Sequence, residues 1–162
     1  MKIVGIDLAG KAENPTGFCV LDENNCEVKI LHSDTDILAG IEAAKPDIIA
    51  IDAPFWIPKF KDRIMPWRPC EIELIKRGFK PLSVLLPTMQ MLAQRAAHLV
   101  RVLKSRGYNV IEVFPNASEK IFGLERQPKT NEHEYDALIC ALTGKAYLEG
   151  KYENLHGIII PK

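Results

Sequence analysis

The chain has 162 residues, of which 47% are hydrophobic and 26% charged, and it carries no net charge at neutral pH. This length and composition suit one domain over 1–162 with a sizeable core, and the zero net charge argues against a sequence-independent binder of nucleic acid. No apolar run approaches the ~20 residues that cross a bilayer, and no signal-peptide pattern precedes the first predicted strand. We therefore expect a cytoplasmic protein without membrane association.

The first predicted strand ends on a lone carboxylate. Residues 2–10 form an apolar run that leads to Asp7 and then meets glycine. Two more strands are predicted over 16–21 and 26–32, joined by the turn-forming residues 22–25. The chain therefore begins as a strand followed by an antiparallel hairpin.

A helix follows, capped by Ser33 or Asp34 and ended by Pro46. Residues 48–52 are then fully apolar up to Asp52, as in a strand that is buried on both faces. This second buried-type strand also ends on an acid.

Residues 53–87, the proline-rich segment, differ from the rest of the chain. They contain six of the eleven prolines and both tryptophans, Trp56 and Trp67. This composition predicts a lid or insertion with one short helix between Pro69 and Gly78.

The remaining chain alternates helix and strand. The apolar residues in 88–106 follow the period of an amphipathic helix, 109–114 is a buried-type strand interrupted by Glu112, and 131–150 reads as a capped helix. The tail at 157–161 must dock at a place that the sequence does not specify. The order of elements predicts an α/β fold of three layers, in which a mixed sheet of five strands has helices on both faces.

Four acidic residues lie at or near the ends of these elements, namely Asp7, Asp52, Glu112 and Asp136. If the first and fourth strands are neighbours, both strand-end aspartates project at one edge of the sheet, and the last helix can bring Asp136 close. Converging carboxylates repel one another unless a cation neutralises them, and Mg²⁺ or Mn²⁺ prefers oxygen ligands. We therefore predict that Asp7, Asp52 and Asp136 bind metal for phosphoryl transfer with two metal ions, and that Glu112 is a fourth catalytic acid.

Each acid also has a structural alternative. Asp7 and Asp52 could cap the turns after their strands, Glu112 could pair with a core lysine or arginine, and Asp136 could favour the dipole of its helix. His133 and His98 lie on helices without a partner at metal-ligand spacing, so we treat both as ordinary surface residues or as residues satisfied within the protein.

Positive charge is concentrated between Lys59 and Arg106, a range that contains eleven lysines and arginines and three acids. Its net charge is +8, and the rest of the chain has a net charge of −8. This asymmetry indicates either a basic face suited to a phosphate-bearing substrate or two solvated helix faces.

Five motifs carry a resemblance to a known family. They are Gly5-Ile6-Asp7-Leu8-Ala9-Gly10 with Thr16-Gly17, Ile51-Asp52-Ala53-Pro54, Arg68-x-Cys70-Glu71, Ile111-Glu112-Val113-Phe114-Pro115 with Ala117-Ser118, and Tyr135-Asp136-Ala137-Leu138 leading to Gly150. Together, and over nearly the whole chain, they resemble domain-of-unknown-function family 429 (DUF429), a family of predicted ribonuclease-H-like nucleases.

The resemblance implies the ribonuclease-H-like fold of Holliday-junction resolvases and transposases. The site of these enzymes takes an acid from strand one, another from strand four and a third from the last helix. These positions carry over to Asp7, Asp52 and Asp136, accompanied by Glu112. Glu71 stands where the family often has aspartate, and the resemblance assigns it no role.

On this interpretation the proline-rich segment contacts nucleic acid. Arg63 and Arg68 bind phosphates, and Trp56 or Trp67 stacks on a base. The tryptophans could equally form a hydrophobic plug. Lys120 could reach a scissile phosphate, although a surface position on a helix is the simpler reading.

The sequence therefore predicts a metal-dependent nuclease or phosphodiesterase that acts on DNA or RNA. One alternative is a non-catalytic module that binds nucleic acid or protein. Another is a nucleotide-phosphate-handling enzyme of the actin and sugar-kinase branch of the same fold, although that branch usually duplicates the domain. The sequence leaves open whether the chain forms a homodimer.

Overall fold

Nine strands form in the computed structural model, which describes all 162 residues. They are β1 (Ile3–Asp7), β2 (Thr16–Leu21), β3 (Cys26–Leu31), β4 (Ile48–Asp52), β5 (Lys59–Phe60), β6 (Arg63–Ile64), β7 (Val110–Val113), β8 (Tyr152–Leu155) and β9 (Ile158–Pro161). Seven of them form one sheet in the order β3-β2-β1-β4-β7-β9-β8, and β5 pairs with β6 in a separate hairpin. The sheet is mixed, because β1 is antiparallel to β2 but parallel to β4, and β7 is parallel to β4 and β9.

The sheet has seven strands and not the five predicted, because the carboxyl-terminal tail forms a hairpin. β8 and β9 pair antiparallel on either side of His156 and Gly157, whose φ angles of 50° and 114° suit a tight two-residue turn. The residues of β9 are buried, and β9 pairs with β7. The apolar run of the tail is visible in the sequence, but the strand that accepts it is far away along the chain.

Five helices complete the fold, namely α1 (Asp34–Ala44), α2 (Pro69–Lys76), α3 (Pro87–Ser105), α4 (Pro115–Phe122) and α5 (Glu132–Leu148). Four of them confirm predicted helices, whereas α4 is absent from the predicted order of elements. Pro115 begins α4, where a missing backbone N–H costs no hydrogen bond. From the sequence alone, Pro115 marks only the end of the strand predicted over 109–114. No helix combines the length and the apolar character needed to span a membrane.

Helices pack on both faces of the sheet, as predicted. Because side chains alternate along a strand, Val4 and Ile6 of β1 face one side and Ile3 faces the other. Val4 and Ile6 belong to the largest core cluster, together with residues of α1 and α3 such as Ile37 and Leu99. Ile3 packs instead in a cluster that includes residues of α5. The sheet is therefore the middle of three layers.

Helix α5 lies very close to β1 and β2 because both strands have a glycine beneath it. A Cβ atom on Gly5 would lie 2.1 Å from the backbone oxygen of Ala137, and one on Gly17 would lie 1.9 Å from that of His133. The fully buried residues of α5 are mostly small, namely Ala137, Ile139, Cys140, Ala141, Thr143, Gly144 and Ala146. The apolar spacing in the sequence predicts a different inward face, formed by Tyr135, Leu138, Ile139 and Leu142. Only Ile139 of these four residues is fully buried.

Candidate active site

The ends of β1 and β4 place two aspartates side by side. The strands are parallel, and Asp7 lies directly opposite Asp52 in their register. On the other side of β4, Glu112 of β7 lies opposite Ile51. The expectation that Asp7 and Asp52 share one edge of the sheet is therefore confirmed, and Glu112 lies on the adjoining strand.

Asp52 is the least compensated acid at this edge. No cation or hydrogen-bond donor of the protein stabilises its negative charge. Burial, followed by the negative charges of Asp7, Asp136 and Glu112, raises the pKa of Asp52 well above the usual range of aspartate. The structure thus brings the four predicted acids into one electrostatic cluster.

Asp7 is paired with a histidine, His133, whose Nδ1 donates to Asp7 Oδ2 at 2.9 Å. The alternative in which His133 is a satisfied, hydrogen-bonded residue is therefore confirmed, but its partner is one of the predicted site acids. Burial raises the pKa of Asp7, and the hydrogen bond from His133 opposes that rise. A signal existed in the sequence, because His133 lies three residues before Asp136 and residues at that spacing share one face of a helix.

Asp136 lies near the amino terminus of α5, which the side chain of Asn131 caps. Its carboxylate accepts a hydrogen bond from Arg126 at 2.8 Å. Burial and the charge of Asp7 raise the pKa of Asp136 to about 6, and Arg126 opposes this rise. Arg126 lies in the loop before α5, and no motif or spacing in the sequence pointed to it.

Arg68 is buried between two glutamates. Only 2% of Arg68 and 5% of Glu112 is exposed. Arg68 Nη1 and Nη2 donate to the two oxygens of Glu112 at 2.9 and 2.5 Å, and Nε donates to both oxygens of Glu71 at 2.9 Å. The alternative in which Glu112 pairs with a core arginine is therefore confirmed. The guanidinium of Arg68, predicted to bind phosphate, is engaged by carboxylates of the protein.

Glu71 completes this buried group. Its carboxylate accepts a hydrogen bond from the Cys70 thiol at 2.6 Å, and burial raises the pKa of that thiol to about 12. The backbone N–H of Phe55 donates to Glu112 at 3.2 Å. Burial raises the pKa of Glu112, while the hydrogen bonds from Arg68 lower it. The group thereby ties the proline-rich segment to β7.

The other predicted substrate contacts lie further out. Arg63 is exposed on β6, and Lys120 is exposed on α4. Trp67 is half-buried. Trp56 is 49% exposed, and the guanidinium carbon of Arg68 lies 5.5 Å from the centre of its ring. Trp56 therefore adjoins the buried group, and Lys120 occupies a surface position.

A cavity of about 250 Å³ opens at this edge of the sheet. Its charged lining consists of Asp7, Asp52, Arg68, Glu71, Lys80 and Glu112. The rest of the lining is largely apolar and includes Leu74, Leu92 and Ile158. Three of the four predicted catalytic acids thus face a space that a small group can enter.

The acids do not form a preassembled metal site. No three side chains of His, Cys, Asp or Glu are grouped as the ligands of one metal ion would be. Asp7 is engaged by His133, and Asp136 is engaged by Arg126. The structure brings the three predicted metal ligands to one edge, but two of them have protein partners.

Neither the curated proteins nor the solved structures include a significant match to this chain. One family model, described as "Protein of unknown function (DUF429)", matches residues 5–134 and thus most of the chain. The matched range contains Asp7, Asp52 and Glu112, and it ends two residues before Asp136. The chain therefore belongs to the DUF429 family.

Proposed function

We propose that this protein is a divalent-metal-dependent nuclease with a ribonuclease-H-like fold, which hydrolyses phosphodiester bonds in DNA or RNA. The observation that carries the proposal is the side-by-side position of Asp7 and Asp52 at the ends of two parallel strands. Crowding of buried carboxylates is unfavourable, yet Asp52 has three acidic neighbours and no compensating cation. Such perturbed groups are concentrated at functional sites.

The topology supports the ribonuclease-H-like part of the proposal. The strands β3, β2 and β1 are antiparallel neighbours, and β4 and β7 continue the sheet in parallel. The resemblance implies acids on strand one, strand four and the last helix. Those elements carry Asp7, Asp52 and Asp136.

The donor set fits Mg²⁺ or Mn²⁺. Asp7, Asp52 and Asp136 offer the carboxylate oxygens that these cations prefer. Burial and then the negative charge of three neighbouring acids raise the pKa of Asp52, and a cation bound there would favour its ionised form. Binding would require the other two acids to exchange part of their contacts with His133 and Arg126 for the cation. The chemistry that such a cation supplies is activation of water and neutralisation of charge on the phosphoryl group.

The residues of the chain position the reacting groups. Strand pairing sets the spacing of Asp7 and Asp52, and the ion pair with Arg68 orients Glu112. His133 orients Asp7 through its hydrogen bond. Hydrolysis adds water across one phosphorus–oxygen bond of the substrate and leaves one phosphate monoester end and one hydroxyl end.

The test combines metal binding with activity. Mg²⁺ or Mn²⁺ at a hundredfold excess over its Kd should stabilise the wild-type protein by about 2.7 kcal/mol, because the ion binds the native state. Thermal unfolding measures this gain. Asp52→Asn should abolish the gain, together with cleavage of labelled single strands, duplexes and junctions of DNA and RNA.

Asp22→Asn is the matched control. Asp22 accepts a hydrogen bond from the backbone of Asn24, which asparagine can also do, and it follows the end of β2 that is remote from Asp7. This variant should keep metal stabilisation and cleavage. A wild-type protein that neither gains stability from metal nor cleaves any of these substrates would contradict the proposal. If Asp52→Asn only raised stability, with no loss of function, a non-catalytic binding module would be favoured.

A further inference from the structure

Exposed apolar side chains are concentrated in the part of the chain that supplies much of the cavity lining. Most of the large hydrophobic side chains that the protein exposes lie between residues 56 and 91. Trp56 and Phe60 are the exposed aromatic residues of this group, and Phe60 is 62% exposed. Leu82 is also exposed and lines the cavity itself. Apolar surface concentrated in this way marks an interaction site in soluble proteins.

The charges beside these aromatic residues indicate the class of ligand. The β5–β6 hairpin turns through Lys61 and Asp62, and it exposes the cations Lys59, Lys61 and Arg63. None of the three takes part in a salt bridge. Lys61 Nζ lies 5.4 Å from the ring centre of Phe60. Free cations next to exposed aromatic rings are the pattern with which proteins bind the phosphates and stack the bases of single strands.

The size of the cavity limits how much of a ligand can enter. Its volume of about 250 Å³ is smaller than the ~300 Å³ at which pockets begin to accept drug-sized ligands. A single flat ring system suits such a space, whereas a base pair is too large for it. Leu74, Leu92 and Ile158 offer apolar surface to a ring, and Asp52 and Lys80 line the same cavity as polar groups.

We infer that the substrate class of the proposed nuclease is single-stranded nucleic acid, with one unstacked base in the cavity and neighbouring bases on Trp56 and Phe60. Asp7 and Asp52 line the same cavity, so the phosphate next to the inserted base lies beside these two acids. Only this last placement rests on the proposed function. A duplex binds more weakly, because one of its bases must first unpair and unstack.

Binding of nucleic acid without divalent metal tests this inference separately from the proposed cleavage, which requires metal. Fluorescence anisotropy in EDTA, at constant salt, compares a short single-stranded DNA, the RNA of the same sequence and a hairpin duplex of the DNA. We expect at least one of the single strands to bind about tenfold more tightly than the duplex. Equal or tighter binding of the duplex, or no binding of either single strand, would overturn the inference.

Two aromatic variants test the stacking surface. Trp56→Ala and Phe60→Ala should each weaken binding of the single strand about tenfold, as is typical when a stacked base loses its aromatic partner. Trp56→Phe should restore most of the affinity. Leu124→Ala is the control, because Leu124 is 42% exposed but lies after α4, outside the proline-rich segment. Unchanged binding in both aromatic alanine variants would overturn the inference.

Cleavage assays in Mg²⁺ or Mn²⁺ test whether a base enters the cavity. The substrates are single strands in which one base at a different position is missing in each. We expect cleavage to be lost at the phosphate next to the abasic position and kept at the others. A cleavage pattern that is the same with and without the abasic site would contradict the insertion of a base into the cavity. Duplex cleavage at least as fast as single-strand cleavage would support the proposed function and overturn the inference. Single-strand binding in EDTA with no cleavage of any substrate would support the inferred binding of single strands and contradict the proposed function.

Discussion

Arg68 brings one positive charge to two buried glutamates, and it connects the proline-rich segment to the acidic edge of the sheet. Its guanidinium is the shared partner of Glu71 and Glu112. Both glutamates are almost fully buried, so water cannot replace the arginine if it is removed. A buried charge that loses its partner is far more destabilising than an exposed one.

Arg68→Met should therefore lower the free energy of unfolding by about 3–5 kcal/mol, measured by urea denaturation at neutral pH. Arg77 provides a matched control, because it also contacts two glutamates, Glu73 and Glu153, but at the surface. Arg77→Met should be much less destabilising, since water solvates the released carboxylates. Similar losses in the two variants would show that burial does not determine the effect.

Asp136 should make stability depend on pH. Its pKa is about 6 in the folded protein, against 3.8 for the isolated side chain. Between these values the native state holds a proton that the unfolded state has released, so stability falls as pH rises from about 4 to about 6. Asp136→Asn should remove this loss and raise the free energy of unfolding at pH 7 by about 1 kcal/mol, allowing for solvent screening of a partly exposed group.

The same measurement at about pH 3 provides the control for Asp136→Asn, because this position is then mostly protonated in both the folded and the unfolded wild-type protein. Urea denaturation in EDTA at the two pH values should show a gain only at pH 7. A gain of the same size at both would mean that the substitution acts through packing and not through charge.

At the scale of elements, the contact of α5 with two glycine-containing strands positions the acidic site. Gly5 and Gly17 let the helix backbone approach the sheet to a distance that no side chain permits. The amino-terminal turns of α5 carry His133 and Asp136, and Gly17 lies directly against the backbone of His133. The position of two site residues therefore depends on the absence of one Cβ atom.

Gly17→Ala should lower the free energy of unfolding by about 1–3 kcal/mol, the usual range for overpacking that forces a backbone shift. Cleavage activity, compared at a temperature where both proteins are folded, should also fall, because the shift separates His133 from Asp7. Gly10→Ala is the control. The nearest atom to a Cβ on Gly10 is the backbone oxygen of Thr88 at 3.5 Å, which is an ordinary contact. An equal loss in Gly10→Ala would contradict this account.

At the scale of the whole molecule, the chain divides its charge between segments. Residues 59–106 carry +8, and the remainder carries −8. The basic segment contains the β5–β6 hairpin, and through Arg68 it also reaches the acidic edge. A nucleic acid that follows the hairpin toward this edge would exchange its counterions for these cations.

Binding of a single strand should weaken as salt concentration rises. Arg63→Gln should reduce the slope of log Kd against log salt by about 1, if Arg63 neutralises one phosphate. Lys104→Gln is the control, because Lys104 belongs to the same basic segment but lines a different pocket with Asn109 and Val110, at the amino-terminal end of β7. Anisotropy titrations at several salt concentrations measure both slopes. A slope that changes as much in Lys104→Gln would indicate a diffuse effect of net charge.

Elements with local signals can be predicted from the order of residues in the chain. The apolar runs of β1 and β4 and the helical period of α3 depend only on residues near one another in the chain, and all three elements form where they are predicted. The two strand-end aspartates of the candidate site, Asp7 and Asp52, were predictable for the same reason, because each is visible within its own segment. Asp7 and Asp52 needed only the further assumption that their strands are neighbours.

Contacts between distant segments, in contrast, follow only from the three-dimensional fold. The bond from His133 to Asp7, the ion pair of Arg68 with Glu112 and the pairing of β9 with β7 join residues that are far apart in sequence. Other cations of the chain could have paired with these acids, and other strands could have paired with β9. Three-dimensional packing selects among them through burial and distance, and no local pattern in the chain records that choice.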